Sequence, residues 1–331
     1  MRCCVLKEKA NVSSRNQSID LLRIMACFGV ILIHIASSFF SHHYVNEGSL
    51  EWKLCVVLYN GFLWSVPLFA MITGFLFLNP NKELPLKKLY GKNILRLILA
   101  LVFWTLFYAV TIHFPFYPFP CKKAHFWYVE ICLGLYISLP LLKRVALDEK
   151  LLSYSCWIWL FIRFFINLKM FVQLPFHVTN HIFPEYVGYC LWGYYLTRIK
   201  FTRIQTRMVY LIGLLYLIAN ITLTILTEGE MREGFVNMDP FFACIAVFLF
   251  VMRHPARFSV TTARIIAGFA EMTFGILMVH SFVDMMIFSR LHAFIPSFYL
   301  MVPMAFVGVL LASGVIVFII KQIPVLKHWV V

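Results

Sequence analysis

Apolar segments of membrane-spanning length recur along the whole chain, and they restrict its fold more than any other feature. A helix needs about 20 residues to cross the hydrocarbon core of a bilayer. Because lipid offers no hydrogen-bond partners, the backbone groups of each segment must be satisfied internally, which favours helices. The segments of about this length are 19–40, 54–78, 93–114, 126–142, 151–172, 183–197, 208–227, 237–252, 265–289 and 294–320. We therefore predict an all-α, polytopic integral membrane protein with about ten transmembrane helices.

The composition favours one membrane domain. Hydrophobic residues make up 61% of the 331 residues and charged residues only 13%, whereas a soluble domain carries about 25% charged residues. Neither a linker nor an obvious internal repeat divides the chain. We predict a single domain over residues 1–331, in which 1–18 form a basic cytoplasmic tail.

The positive charges indicate the orientation. Most of the 29 lysines and arginines flank the predicted spans on one side, from the N-terminal tail to Lys321 and Lys327. Cytoplasmic loops are enriched in these residues, so we place both termini in the cytoplasm. The net charge of +14 then reflects topology and attraction to anionic membrane lipids, and no nucleic-acid partner is expected.

The cysteines show no metal-binding spacing, so no metal cofactor is expected.

The first predicted span carries Asp20, Arg23 and His34. Helix geometry places Arg23 and His34 about 20° apart around the axis and about 16 Å apart along it, with Asp20 on nearly the same face. Charged groups at a helix centre cost about 2.5–3.5 kcal/mol on insertion scales, and they commonly face a partner or a cavity. The alternative is that Arg23 reaches the cytoplasmic headgroups while His34 bonds a neighbouring helix. We favour a catalytic stripe because the three residues are aligned.

Four residues of later spans are candidates to line a polar substrate cleft. His280 lies near the middle of the ninth segment, and Asp284 follows one helical turn later, where its carboxylate can orient the ring. A simple helix–helix hydrogen bond is the alternative for His280. Trp127 and Glu130 lie at the start of the fourth segment, near the predicted outer face. For Glu130, an ion pair with a lysine of the preceding loop is the alternative, and both remain open.

A basic segment precedes the third span. Lys88, Lys92 and Arg96 are spaced by four residues, so in an α-helix they share a face. Such a face can hold the phosphates of a ligand at the cytoplasmic side. The alternative is that these charges only reflect the enrichment of lysine and arginine in cytoplasmic loops.

Five motifs occur in an order that resembles the membrane-bound acyltransferase family 3. The resemblance covers almost the whole chain, and it is strongest to the short, single-domain members that O-acylate bacterial surface polysaccharides, such as enterobacterial common antigen and O-antigen acetyltransferases. The motifs are IDLLRIMACFGVILIH, SVPLFAMITGFLF, YGKNILRLILALVFWTLFY, HFWYVEICLGLYISLPLL and FGILMVHSF.

The resemblance implies an acyl-coenzyme A donor on the cytoplasmic side, usually acetyl-CoA, and a glycan hydroxyl as acceptor on the outer side. It also implies that His34 is the catalytic histidine and Arg23 its companion. The family often has two arginines three residues apart in the basic loop, whereas here Asn93 takes the first position and Arg96 the second. Lys92 is the nearest replacement for the missing charge. Glu130 replaces an expected apolar or aromatic residue.

These features predict an O-acetyltransferase in the bacterial inner membrane. Acyl transfer to a hydroxyl needs a general base, and histidine titrates near neutral pH, so we expect His34 to activate the hydroxyl, directly or by relaying the acyl group. Arg23, Lys92 and Arg96 are expected to hold the CoA phosphates. The acceptor is a surface polysaccharide or its lipid-linked precursor. The alternative is a proton-coupled transporter or flippase that uses intramembrane ionisable residues. The lack of an obvious inverted repeat counts against this alternative.

Overall fold

The structure is a computed structural model that describes residues 16–112, 126–168, 185–227, 239–295 and 297–330. Within these ranges the regular structure is helical and contains no strand. The helices are α1 (Gln17–Ser41), α2 (Leu50–Phe62), α3 (Ser65–Phe77), α4 (Leu86–Lys88), a π-helical turn (Leu89–Ile94), α5 (Leu95–Ile112), α6 (Trp127–Leu147), α7 (Glu149–Leu168), α8 (Glu185–Tyr195), α9 (Arg203–Leu226), α10 (Phe241–Arg253), α11 (Val260–Phe294), α12 (Phe298–Gln322) and α13 (Pro324–Trp329).

Among the described residues, six helical segments are long and apolar enough to cross a membrane. The described parts of the remaining predicted spans also lie in helices, but α8 and α10 are shorter, and α6 and α7 are more polar. Residues 169–172, 183–184 and 237–238 of these spans lie outside the described residues. The chain is thus a multi-pass helical membrane protein. The six segments are Gln17–Ser41, Leu50–Phe77, Leu86–Thr111, Arg203–Leu226, Val260–Phe294 and Phe298–Gln322.

Helix α1 begins at a polar cap and runs without interruption. The side chain of Asn16 accepts hydrogen bonds from the backbone N–H groups of Ser18 and Ile19, which satisfies amides that the first turn leaves without partners. Asp20 adds a negative charge in the first turn, where the helix dipole favours it. The predicted placement of Asp20 and His34 on one continuous helix is therefore confirmed.

Helices α1 and α11 pack side by side and run in the same direction. The rings of Phe28 and Phe269 lie 5.7 Å apart between centroids, and those of Phe39 and Phe288 lie 4.9 Å apart. Residue numbers rise together along both helices, so the two are parallel. This is the relation that the sequence predicts for a first and a ninth span.

Helices α3 and α8 approach closely through two glycines. A Cβ atom on Gly74 would overlap the backbone carbonyl of Cys190, and one on Gly193 would overlap the backbone of Met71. Small residues allow such close approach of helix backbones in membranes, where van der Waals packing drives association.

A buried ionic cluster joins α7, α8 and Asp239, which lies two residues before α10. The guanidinium of Arg163 bonds the carboxylate of Asp239 and lies 3.2 Å from Glu185 Oε1. The hydroxyl of Tyr189 donates to the same Asp239 carboxylate. Removing one partner of a buried pair leaves an uncompensated charge and is costly, so this cluster holds three segments in place.

Replacing Gly74 by alanine is expected to destabilise the protein, because the new methyl group overlaps the backbone of α8. Overpacking of this kind costs about 1–3 kcal/mol. Gly134→Ala is the matched control, since a Cβ atom at Gly134 meets nothing within 4 Å. The melting temperature of the purified protein in detergent measures the effect, and equal values for both variants would contradict the close packing.

Candidate active site

Helices α1 and α11 bring two histidines into contact. The rings of His34 and His280 lie 4.8 Å apart between centroids, at 62° to one another. His280 is almost fully buried, whereas His34 is half-buried. Nδ1 of His280 lies 2.8 Å from the carbonyl oxygen of Leu277, so this nitrogen donates, and Nε2 is an acceptor in the neutral ring. The ring of His34, which is the predicted general base, therefore lies beside a second imidazole, in which Nδ1 carries the proton.

A hydrogen bond one helical turn further along connects the same two helices. The hydroxyl of Ser38 donates to Oδ2 of Asp284 at 2.6 Å. Ser38, on the adjacent parallel helix, thus bonds one oxygen of the carboxylate that the sequence predicts to orient the His280 ring. Charge-assisted hydrogen bonds of this length are strong, so the bond secures the relative position of α1 and α11 next to the histidines.

Basic side chains converge at the opposite end of α1. Arg23 Nη1 lies 3.7 Å from Asp20 Oδ1, and the Arg23 side chain is 31% exposed. Tyr136 of α6 lies in the neighbourhood of both Arg23 and Arg96. The guanidinium carbon of Arg96 lies 5.9 Å from the centroid of the Phe274 ring. The start of α1 therefore combines with α5, α6 and α11 into a partly exposed basic site, which we call the arginine site (Arg23 and Arg96).

The segment that carries Lys88, Lys92 and Arg96 is helical but not uniformly α-helical. The chain between Lys88 and Arg96 contains the π-helical turn, in which hydrogen bonds join residues five apart rather than four. Because this wider turn also returns to nearly the same direction after four residues, the predicted common face of Lys88, Lys92 and Arg96 stays a prediction. Lys88 and Lys92 are exposed, whereas Arg96 is half-buried in the arginine site.

Trp127 and Glu130 lie on the first turn of α6. Trp127 is 40% exposed, and its ring lies 5.9 Å from that of Tyr186 on α8. Glu130 is half-buried. The lysines proposed as its alternative partners lie outside the described residues.

The structure adds Ser38 and Tyr136 to the residues predicted from the sequence. Ser38 follows His34 by four residues and so lies on the same face of α1, a signal that the sequence contained. Tyr136 had no such signal, because its nearness to the arginines depends on where α6 lies relative to α1 and α5 in the fold.

The fold and the two polar sites along α1 define a multi-pass membrane protein in which two histidines of neighbouring helices are in contact. A family model described as an acyltransferase domain matches residues 16–321, which is nearly the whole chain. The chain therefore belongs to acyltransferase family 3. No curated protein and no solved structure matches the chain.

We expect Ser38→Ala and Asp284→Ala each to lower the free energy of unfolding. The loss in the double variant should differ from the sum of the two single losses. Each change removes the same bond, and bonds to charged groups contribute about 1.5–3 kcal/mol. Thermal unfolding of both single variants and the double variant measures the coupling. Ser41→Ala is the control, because its exposed hydroxyl bonds only the carbonyl of Ser37 within α1. If the double variant lost as much stability as the two single variants together, the hydrogen bond between Ser38 and Asp284 would be contradicted.

Proposed function

We propose that the protein transfers an acyl group, most simply acetyl, from cytoplasmic acyl-CoA to a hydroxyl of a surface polysaccharide or its lipid-linked precursor. The observation that carries the proposal is the arrangement along α1. The arginine site lies at the start of the helix, and the histidine pair lies about 16 Å further along. One extended CoA molecule can hold its phosphates at the first site and present its thioester at the second.

In the proposed reaction His34 is the general base. It takes the proton of the acceptor hydroxyl as the hydroxyl oxygen attacks the thioester carbonyl. The tetrahedral intermediate then collapses, the C–S bond breaks, and the proton passes from His34 to the departing CoA thiolate. His280 lies against the His34 ring and positions it, while Arg23 and Arg96 bind the CoA phosphates with charge-assisted hydrogen bonds. Lys88 and Lys92 add positive charge where the donor approaches.

The proposed topology has ten spans, with both termini in the cytoplasm of a bacterial inner membrane. The parallel packing of α1 and α11 supports an odd number of crossings between them, as for a first and a ninth span. The enrichment of lysine and arginine beside Arg23 supports placing the start of α1 on the cytoplasmic side. In a hydrocarbon core about 30 Å thick, His34 then lies near the middle, between a cytoplasmic donor and an outer acceptor.

His34→Ala is expected to lower acetyl transfer by about 10²–10⁴-fold, the usual contribution of a general base. The measurement is incorporation of labelled acetyl from acetyl-CoA into surface glycan in membranes with verified expression. His328→Ala is the matched control, because this histidine is exposed on α13, outside both sites. Normal acetylation by His34→Ala would contradict the assignment.

Arg23→Ala and Arg96→Ala are each expected to raise KM for acetyl-CoA by about ten-fold or more, the effect of losing a hydrogen bond to a charged group. Acetyl-CoA titrations at fixed glycan concentration measure the change. Arg290→Ala, an exposed arginine near the other end of α11, serves as the control. If Arg23→Ala and Arg96→Ala both kept the wild-type KM for acetyl-CoA, the proposal that the arginine site binds the donor would be contradicted.

A further inference from the structure

A cavity of about 530 Å³ opens beside α1, one helical turn beyond His34. Ser37 and Phe40 of α1 form one wall, and α2, α9 and the loop between α1 and α2 form the others. The volume lies within the range of about 300–1,000 Å³ that is typical of small-ligand sites. None of the four residues predicted to line a substrate cleft contributes to this cavity.

Part of the cavity wall is a buried polar network. Nδ2 of Asn220 lies 3.4 Å from Oδ1 of Asn60, and Asn60 donates to the carbonyl of Val56. Thr224 Oγ1 donates to the carbonyl of Asn220. Asn60, Asn220 and Thr224 are all at least 96% buried, and two of them, Asn60 and Thr224, line the cavity. Buried polar groups that are hydrogen-bonded are rigid, so this wall is preorganised.

The rest of the cavity combines polar and aromatic groups. Glu47 and His43 come from the loop, and His43 has a left-handed backbone conformation with φ of 54°. Such backbone is uncommon in residues other than glycine, and it recurs at ligand-binding sites. Trp52 and Tyr59 of α2 supply aromatic faces. Ligand sites typically pair aromatic walls with a few placed polar groups, and sugars match both, with C–H faces for stacking and hydroxyls for hydrogen bonds.

The charges distinguish this cavity from the arginine site. Its described lining contains no lysine or arginine, and Ser37 lies about 21 Å from Arg23 along α1. A phosphate-rich ligand therefore fits the arginine site and not this cavity, where Glu47 also disfavours an anionic sugar.

We propose that the cavity binds an uncharged sugar unit of the acceptor glycan, with Glu47 and His43 as its hydrogen-bonding groups and Trp52 as its stacking face. The inference rests on the proposed transfer to a glycan hydroxyl. It makes the loop between α1 and α2 a determinant of acceptor affinity, separate from the groups that bind the donor. Because the cavity starts one turn from His34, a bound glycan extends toward the histidine pair.

The test uses Glu47→Gln and His43→Gly in the full chain, reconstituted in lipid nanodiscs. Glycine accepts the left-handed backbone at position 43, so the second variant removes the ring and keeps the loop. The matched controls are Glu51→Gln and Lys53→Ala, which lie nearby on α2 outside the cavity lining. The probe is the de-O-acylated repeat-unit oligosaccharide from the surface polysaccharide of the producing cell. Its Kd is measured without acetyl-CoA by saturation-transfer NMR, and transfer from labelled acetyl-CoA is measured separately.

We expect the two cavity variants to weaken oligosaccharide binding by about ten-fold, as for one lost charge-assisted hydrogen bond, while the controls bind as the wild type does. KM for acetyl-CoA should stay unchanged. Absence of saturable binding to the wild type, or equal binding by cavity and control variants, would overturn the inference even if transfer proceeds. Binding that is lost only in the cavity variants, in a protein that transfers no acetyl group, would instead support the cavity and overturn the proposed function.

Discussion

The parallel packing of α1 against α11 is the contact on which the candidate active site depends. It places His34 against His280 and gives Asp284 a hydrogen-bond donor in Ser38. In a membrane, helix association gains little from the hydrophobic effect and relies on packing and interhelical hydrogen bonds. The Ser38–Asp284 bond therefore both stabilises the helix pair and defines where the two imidazoles meet.

Helix α1 separates two kinds of binding chemistry along its length. Arg23 lies at one end, where Arg96 completes a basic site suited to phosphates. Ser37 lies near the other end, beside a cavity with amide, carboxylate and aromatic groups. The histidine pair lies between them. In the proposed transferase, whose donor and acceptor approach from opposite sides of a membrane, one helix of 25 residues is enough to relate all three positions.

Predictions from the sequence were most accurate where they depended on segments or motifs that are contiguous in the chain. The continuous helix that carries Asp20, Arg23 and His34 followed from an unbroken apolar run, and family membership followed from motifs spread over the chain. They were less accurate for the segment that carries Lys88 and Lys92, where a π-helical turn interrupts the α-helix. The number of spans stays a prediction for the shorter and more polar helices α6, α7, α8 and α10.

The sequence by itself determined the helical membrane architecture and the order of polar residues along α1, since both depend on segment length, apolar content and helical period. Only the tertiary structure decided which groups meet. Ser38 and Asp284 are 246 residues apart in the chain, and no local pattern specifies that α1 and α11 pack in this register. The cavity beside α1 likewise exists only because α2, α9 and the loop before α2 come together around it, which depends on packing between segments distant in sequence.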